Sequence, residues 1–344
     1  MKRSKLGLLV YLVFVVAMLS SQTSAPAAAP IELSLASMHA PASESVKQLE
    51  RWIDRIKADT NGQITIRHYP SSTLIAPPDM REGIKAGTAD IGNSFVFKTD
   101  PDFQVGQYLS VLTRGVDVPS CVKIYDEIWA KYPDLMASQW KNFKLLWTVP
   151  SATIVIITVK KPVRTMEDLK GLQIRIATKS DSDMMKSLGA TPVSLSMHDF
   201  IVSLDKGTTD GAAAHGAAIY DFKFGGKIKY CTVFPLGSPI NFLIMNKDSW
   251  NKLSPDLQKA IDNTLAWTKQ DAIDTWTKVE KNANEYMKAS GIEIIRLSPN
   301  EYAKWDATIK PVFNSIAKDL DAKGYPGTEL VNFCRERSAF YSTK

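Results

Sequence analysis

Cysteine and histidine are scarce in this chain of 344 residues, at three and four. Cys121, Cys231 and Cys334 stand too far apart for a CxxC metal or redox motif. An oxidising compartment allows one disulfide with a spare thiol; three isolated buried thiols is the other reading, and spacing does not choose. His39, His68, His198 and His215 are scattered and form no HExxH. His68, between Arg67 and Tyr69, reads as a surface position, and His198, before Asp199, as a local cap. The sequence also lacks a GxSxG elbow, a phosphate loop ending in GK[ST] and a GxGxxG turn. These absences weigh against an enzyme without removing that reading. Charge of one sign is not in large excess, and there is no dense Lys/Arg run interleaved with aromatics, so a nucleic-acid partner is not expected. After the N-terminal segment no run reaches 18 apolar residues, which argues against a membrane span.

Residues 1–29 are of a different kind. "MKRSK" is a basic start, "LGLLVYLVFVVAML" an apolar run, and "SSQTSAPAAA" a small-residue cleavage region. This is the pattern of a secretory signal peptide, with cleavage expected between about residues 24 and 29. A retained anchor is the alternative. Taking Lys2, Arg3 and Lys5 from the 42 basic residues leaves 39 against 36 acidic ones, a nearly balanced mature chain. With 44% hydrophobic and 23% charged residues the remainder reads as a globular protein large enough for two lobes.

The mature part begins β-α-β-α-β. "IELSLAS" (31–37) alternates apolar and polar residues. Val46, Leu49, Ile53 and Ile56 lie at helical spacing on one face. "QITIRHY" is a second strand, and "PPDMREGIKAGTADIG" reads as helix, Gly cap and strand. This predicts an α/β fold with a largely parallel sheet. The same grammar restarts near residue 163: "LQIRIA" strand, "SDSDMMKSLG" helix, "TPVSLS" strand, "MHDFIVSLDKG" helix, then "TTDGAAAH" entering another strand. "KAGTADIG" (85–92) and "DKGTTDGA" (205–212) both place Gly-Thr-x-Asp between helix and strand, as one corner used twice. The Gly is expected to close the helix, and the Thr and Asp to satisfy local backbone donors.

From Pro255 to Gly291 there is neither proline nor glycine between, Ser254 is a helix cap, and the apolar stripe runs through Leu257, Ile261, Trp276 and Met287. A helix of about 36 residues would be roughly 54 Å long, enough to lie across both lobes and brace them. Two helices with an unmarked break is the other reading. "SPNE" (298–301) reads as a capping box, and the helix it starts should be disturbed at Pro311. The lobes are expected as residues 30–153 with about 240–270, and 154–239 with about 271–344, with the long helix of 255–290 bridging them.

Within "DLKGLQIRI" (168–176), Ile174 and Ile176 share one strand face and Arg175 takes the other. A buried guanidinium without a partner is costly, so its site should be open and wet when empty. An exposed arginine on an edge strand is the bland alternative. Asn93, Ser94 and Phe95 follow the first corner, at the carboxyl end of a strand where open α/β sheets bind ligands. Trp147 reads equally as a stacking residue or as core, and His215 as a ligand donor or a turn cap. His39, in the loop after the first strand, reads as a surface residue or as one reaching the cleft.

The stretch "KKPVRTMEDLKGLQIRI…LGATPVSLSMHDFIVSLDKGTTDG" (160–211) resembles the solute receptors of tripartite ATP-independent periplasmic (TRAP) transporters, the DctP family. The likeness extends to "IKAGTADIG", "LGSPINFLIMNKDSWNKLSP" and the long helix, nearly the whole mature chain. The resemblance implies a two-lobed periplasmic solute-binding fold with a long helix spanning both lobes, and a periplasmic receptor that closes on an organic acid. It implies delivery to membrane permease subunits, no catalysis, no cofactor, and action as a monomer. In relatives the arginine that ends "GL-K-I-R" pairs with the ligand carboxylate, which implies that role for Arg175. The family's ligand-contacting asparagine falls on Ala214, a second basic group is missing from "SATIVIITV", and the Trp-Glu of metal-using relatives is absent, so no metal is expected. "LLWTVPSATIVIITVKKPV" and "DFKFGGKIKY" look more like the branch with keto-acid and aromatic-acid receptors. A receptor of another transport or sensor system, and an exported hydrolase or lyase, remain the competing readings.

Overall fold

The computed structural model describes residues 29–96, 103–115, 117–222 and 226–342. The signal segment expected over residues 1–29 lies, but for Ala29, outside them. The chain opens with β1 (Ile31–Ser37), α1 (Glu44–Asp59), β2 (Ile64–Tyr69), α2 (Met80–Lys85) and β3 (Ile91–Phe95). Helices α3 (Gly106–Leu112), α4 (Val118–Lys131) and α5 (Pro133–Ser138) lead to β4 (Phe143–Pro150). Then follow β5 (Ile154–Thr158), β6 (Gln173–Ile176), α6 (Lys179–Ser187), β7 (Thr191–Ser194), α7 (Met197–Lys206), β8 (Gly211–His215), α8 (Ala217–Asp221) and β9 (Tyr230–Val233). The rest is β10 (Ile240–Asn246), α9 (Lys247–Asn251), α10 (Pro255–Ala289), β11 (Glu293–Arg296), α11 (Pro299–Ala322) and α12 (Gly327–Ser342).

Two sheets carry the two lobes, in the orders β2-β1-β3-β10-β4 and β11-β9-β5-β8-β6-β7. They are mixed rather than largely parallel. β1 runs parallel to β2 and β3, and β6 to β7 and β8. β10 and β5, the strands that enter from the other lobe, run antiparallel to their neighbours. A chain returning through a short crossing arrives in the opposite sense, with no helix to turn it.

Local chemistry explains the elements. Ser43 caps α1 by accepting from the Val46 amide, and Val46, Leu49, Trp52, Ile53 and Ile56 form its buried face. Helix α10 is one unbroken rod of 35 residues, started by Ser254 with Pro255 at the first position. It packs on α1, α4 and β4 of the first lobe and on α8 and β11 of the second. Helix α11 continues past Pro311 without a break in the helix. Pro311 and Ala307 are exposed, so the carbonyl that the missing N–H leaves free lies on the solvent side. The expected capping box at Ser298 is only half formed. Ser298 accepts from the Glu301 amide, but the Glu301 carboxylate accepts from the Met166 amide and Trp305 Nε1.

Among the described residues the segments that join the lobes include α10 and two crossings, β4 to β5 and β9 to β10. The crossings are laced together, with Ser151 N donating to Pro239 O at 2.9 Å and Ile154 N to Gly237 O at 2.8 Å. Gly237 has φ 154°, and a Cβ there would meet the Ser110 carbonyl at 2.5 Å, so only glycine fits this contact. All three cysteines are buried free thiols.

Candidate functional site

The twin Gly-Thr-x-Asp corners start the two strands, β3 and β8, that end at the cleft. Gly87 and Gly207 close their helices in the left-handed region, at φ 78° and 66°. The aspartates then do something other than local capping. Asp90 Oδ2 accepts from Ser34 N at 2.8 Å, and Asp210 Oδ2 accepts from Gln173 N at 2.8 Å. Each carboxylate thus pins the strand that precedes its own in the sheet, fixing the register of β1 against β3 and of β6 against β8. Five residues beyond each aspartate the strands end, at Phe95 and at His215. The equivalence extends to the pinned strands. Leu35 pairs with Ile91 and Ala36 with Gly92; Ile174 pairs with Gly211 and Arg175 with Ala212. Arg175 therefore occupies in the second lobe the place that Ala36 occupies in the first.

Ile174 and Ile176 are buried against α6, and Arg175 faces the other way, only 8% exposed. Its Nε donates to the Leu195 carbonyl at 2.9 Å, the one hydrogen bond of this guanidinium among the described residues. Burial makes its charge costly, and the nearby Asp181 offsets part of that cost. Asp181 is the third residue of a capping box with Thr178 at the start of α6. Its own carboxyl is pushed upward by burial, against the pull of the Thr178 and Ala177 donors and of Arg175.

His215 lies within the field of Arg175, and at His215 four rings meet from three parts of the molecule. His39 stands edge-on to Phe95 with centroids 5.5 Å apart and lies 5.9 Å from Trp276. Phe95 lies 5.5 Å from Trp276 and 6.2 Å from His215, which is 6.3 Å from Trp276. The first lobe supplies His39 and Phe95, the second His215, and α10 supplies Trp276. Burial, then His215 and His68, hold the His39 imidazole down at about 3; burial, then Arg175, hold His215 at about 4. Both imidazoles are neutral at neutral pH and each presents one donor and one acceptor. His39 Nε2 and His215 Nδ1 are buried and have no partner among the described residues. The site was expected to be open around Arg175, which is instead buried.

The other sequence candidates fall in different places. Asn93 is buried, its amide nitrogen donating to Phe242 O at 2.8 Å and Asn241 Oδ1 at 3.3 Å. Ser94 is buried on the opposite strand face and donates to Pro77 O at 3.3 Å. Ala214 shares the face of Arg175, because Arg175 pairs with Ala212 and alternate residues share a side. Trp147 lies in the first-lobe core beside Leu146 and lines a separate cavity of about 290 Å³ with Leu265 and Lys269. His68 is not a surface residue. Its ring is 6% exposed and links Ser37 Oγ to the Glu50 carboxylate. Trp276, Asp181 and the Leu195 carbonyl were not singled out from sequence. Trp276 carried only the signal of an apolar stripe, and a backbone carbonyl carries none.

Residues 35–319 match the family model described as bacterial extracellular solute-binding protein, family 7, DctP. The C4-dicarboxylate-binding periplasmic protein DctP of Rhodobacter capsulatus is 24% identical over 323 residues, covering 89% of this chain and 92% of its own. A TRAP periplasmic solute binding protein from Desulfovibrio salexigens has a similar structure, with TM-score 0.78 and 26% identity, covering 92% of this chain and 98% of that one. A marine-metagenome TRAP solute binding protein from an unidentified microbe, specific for aromatic acid ligands and solved with metahydroxyphenylacetate, gives TM-score 0.80 at 25% identity, covering 90% and 99%.

Proposed function

The chain belongs to the bacterial extracellular solute-binding protein family 7, the DctP receptors of TRAP transporters, and on that premise we propose that it captures a small aromatic monocarboxylate between its lobes. It passes this acid to the permease subunits of a TRAP system, acting in the periplasm after the N-terminal segment is removed. It is a receptor and not an enzyme.

The observation that supports this reading most is a buried guanidinium beside His215, whose ring belongs to a cluster drawn from both lobes and the bridging helix. Leu195 holds Nε of Arg175, so the two terminal nitrogens are pre-aimed for a bidentate carboxylate. Phe95 and Trp276 offer ring faces and edges to an aromatic body, at about 0.5–1.5 kcal/mol per ring pair beyond area burial. The neutral His39 and His215 take or give a hydrogen bond to a hydroxyl on that body. A second carboxylate would face uncharged imidazoles in a dry site, at a cost that disfavours a dicarboxylate. An acid gripped by Arg175 and covered by Phe95 and His39 touches both lobes, which is the condition for it to favour closure.

Titration calorimetry of the processed chain with metahydroxyphenylacetate, benzoate and succinate tests the reading. The aromatic acids should bind and succinate should not. Arg175→Ala should weaken binding about a hundredfold, the loss of roughly 3 kcal/mol in charge-assisted hydrogen bonds. Tighter binding of succinate than of either aromatic acid would remove the ring assignment and favour the C4-dicarboxylate reading that one relative's name suggests. Unchanged affinity in Arg175→Ala would remove the anchor.

A further inference from the structure

A second cavity, of about 560 Å³, lies at the junction of the lobes, and neither Arg175 nor any of the four rings lines it. Its volume is that of a small-molecule site. Helix α10 forms one wall through Glu280, Asn284 and Lys288, four residues apart and so on one face. Asp117, at the start of α4, brings the first lobe; Val233 and Arg296 bring the second. Ala152, Thr153 and Pro235 come from the two crossings.

The charges on this wall are sorted. Glu280 stands beside Asp117, which adds to the effect of burial in lifting the Glu280 carboxyl to about 7. Lys288 is eight residues further along α10, about 12 Å at the helical rise, and Arg296 on β11 adds a second cation. Between the ends lie Ala283, Met287 and Val155, an apolar middle. Glu280 also ties the elements together: its carboxylate accepts from Val118 N at 3.1 Å and from the Thr153 backbone. One molecule bridging this cavity would touch α10, both lobes and a crossing.

We propose that this junction cavity is a second ligand site, for a linear zwitterion whose ammonium sits with Glu280 and Asp117 and whose carboxylate sits with Lys288 and Arg296. A positive group answers the paired acids, which burial and mutual repulsion leave short of counter-charge. The aliphatic chain between the two ends covers Ala283 and Met287. Because the walls belong to both lobes, an occupant shifts the balance between lobe arrangements, and the cleft ligand and the junction ligand alter each other's affinity by the same factor. That coupling rests on the receptor reading above; the site itself does not.

The probe is ε-aminocaproate, with caproate and hexylamine as controls that each carry one end only. Titration calorimetry on the processed chain should show saturable binding of ε-aminocaproate, at least tenfold tighter than either control. Glu280→Gln, which keeps an acceptor for Val118 N, and the exposed double variant Lys288→Ala/Arg296→Ala should each weaken it tenfold or more. Both variants should still bind metahydroxyphenylacetate, and Arg175→Ala should still bind ε-aminocaproate. Absence of saturable binding in the wild-type chain overturns the site, and equal binding of caproate overturns the zwitterion. Loss of ε-aminocaproate in Arg175→Ala, with no effect of the junction variants, would place the probe in the cleft and also overturn it. Failure of aromatic acids to bind while ε-aminocaproate does would sink the aromatic-acid reading and leave this site standing.

Discussion

The two lobes are one piece of geometry loaded with different side chains. Both pin a strand with the aspartate of a Gly-Thr-x-Asp corner, and both end the next strand five residues later at the cleft. At matched positions the first lobe has Ala36 and Phe95 where the second has Arg175 and His215. The fold thus offers two equivalent places for a charge at the cleft and the sequence uses one. Symmetry of backbone does not bring symmetry of environment. Ala36 is 1% exposed and packed within the first-lobe core, whereas Arg175 meets the Leu195 carbonyl and the field of Asp181.

Moving the cation across should break the equivalence most visibly. In Arg175→Ala/Ala36→Arg, binding of an aromatic acid should not return, and folding should lose about 3–5 kcal/mol, because the new charge has no prepared partner. Urea unfolding with calorimetry reads both; restored affinity would mean that position alone, not its surroundings, makes the anchor.

Making the lobes alike at the strand ends tests the neutral imidazole. The buried His215 titrates near 4 in the fold, below its ordinary 6.5. Between those values the unfolded chain binds more protons, so stability is full above 6.5 and falls as pH drops toward 4, by about 3 kcal/mol for this group. Glu280 works in the opposite sense. Its carboxyl is lifted to about 7, so its contribution is present below 4.5 and is lost as pH rises through 7. His215→Phe, which copies the first lobe, should therefore lose less stability than the wild type between pH 6.5 and 4. An identical acid limb in the two chains would show that His215 is not held neutral.

The corners themselves should differ in a smaller way. Asp90 accepts from Ser34 N, Ser34 Oγ and Ser249 Oγ, at 2.8, 2.7 and 2.6 Å, while Asp210 Oδ2 accepts from Gln173 N. Asp90→Ala should cost about 3 kcal/mol and Asp210→Ala about 1 kcal/mol by denaturant unfolding. Equal losses would argue that only the shared strand-pinning bond matters.

Much of this arrangement was legible in the sequence for reasons that are local. Helix α1 follows from its apolar spacing, and α10 from Ser254, Pro255 and the absence of breakers. Arg175 is set opposite Ile174 and Ile176 by a period of two alone. Where local rules met long-range partners they failed. Glu301 left its expected cap for Met166 and Trp305, Asp90 reached Ser34 in another strand, and His68 was drawn inward by Ser37 and Glu50. A nearby backbone donor is only one competitor for a carboxylate or imidazole. A tertiary neighbour in a drier place forms the stronger bond.

Sequence by itself determined the alternation, caps and stripes of β1, β2, β6 and the long brace, because these depend on neighbours a few residues away. It also determined that a single arginine would project from a strand otherwise bound for the core. Only the tertiary structure decided that His39, Phe95, His215 and Trp276 would cluster, with His215 in the field of that arginine, and that β5 and β10 would run against their sheets. Those outcomes depend on which surfaces pack together when two lobes and a shared helix bury their apolar faces at once, and no local pattern along the chain encodes that choice.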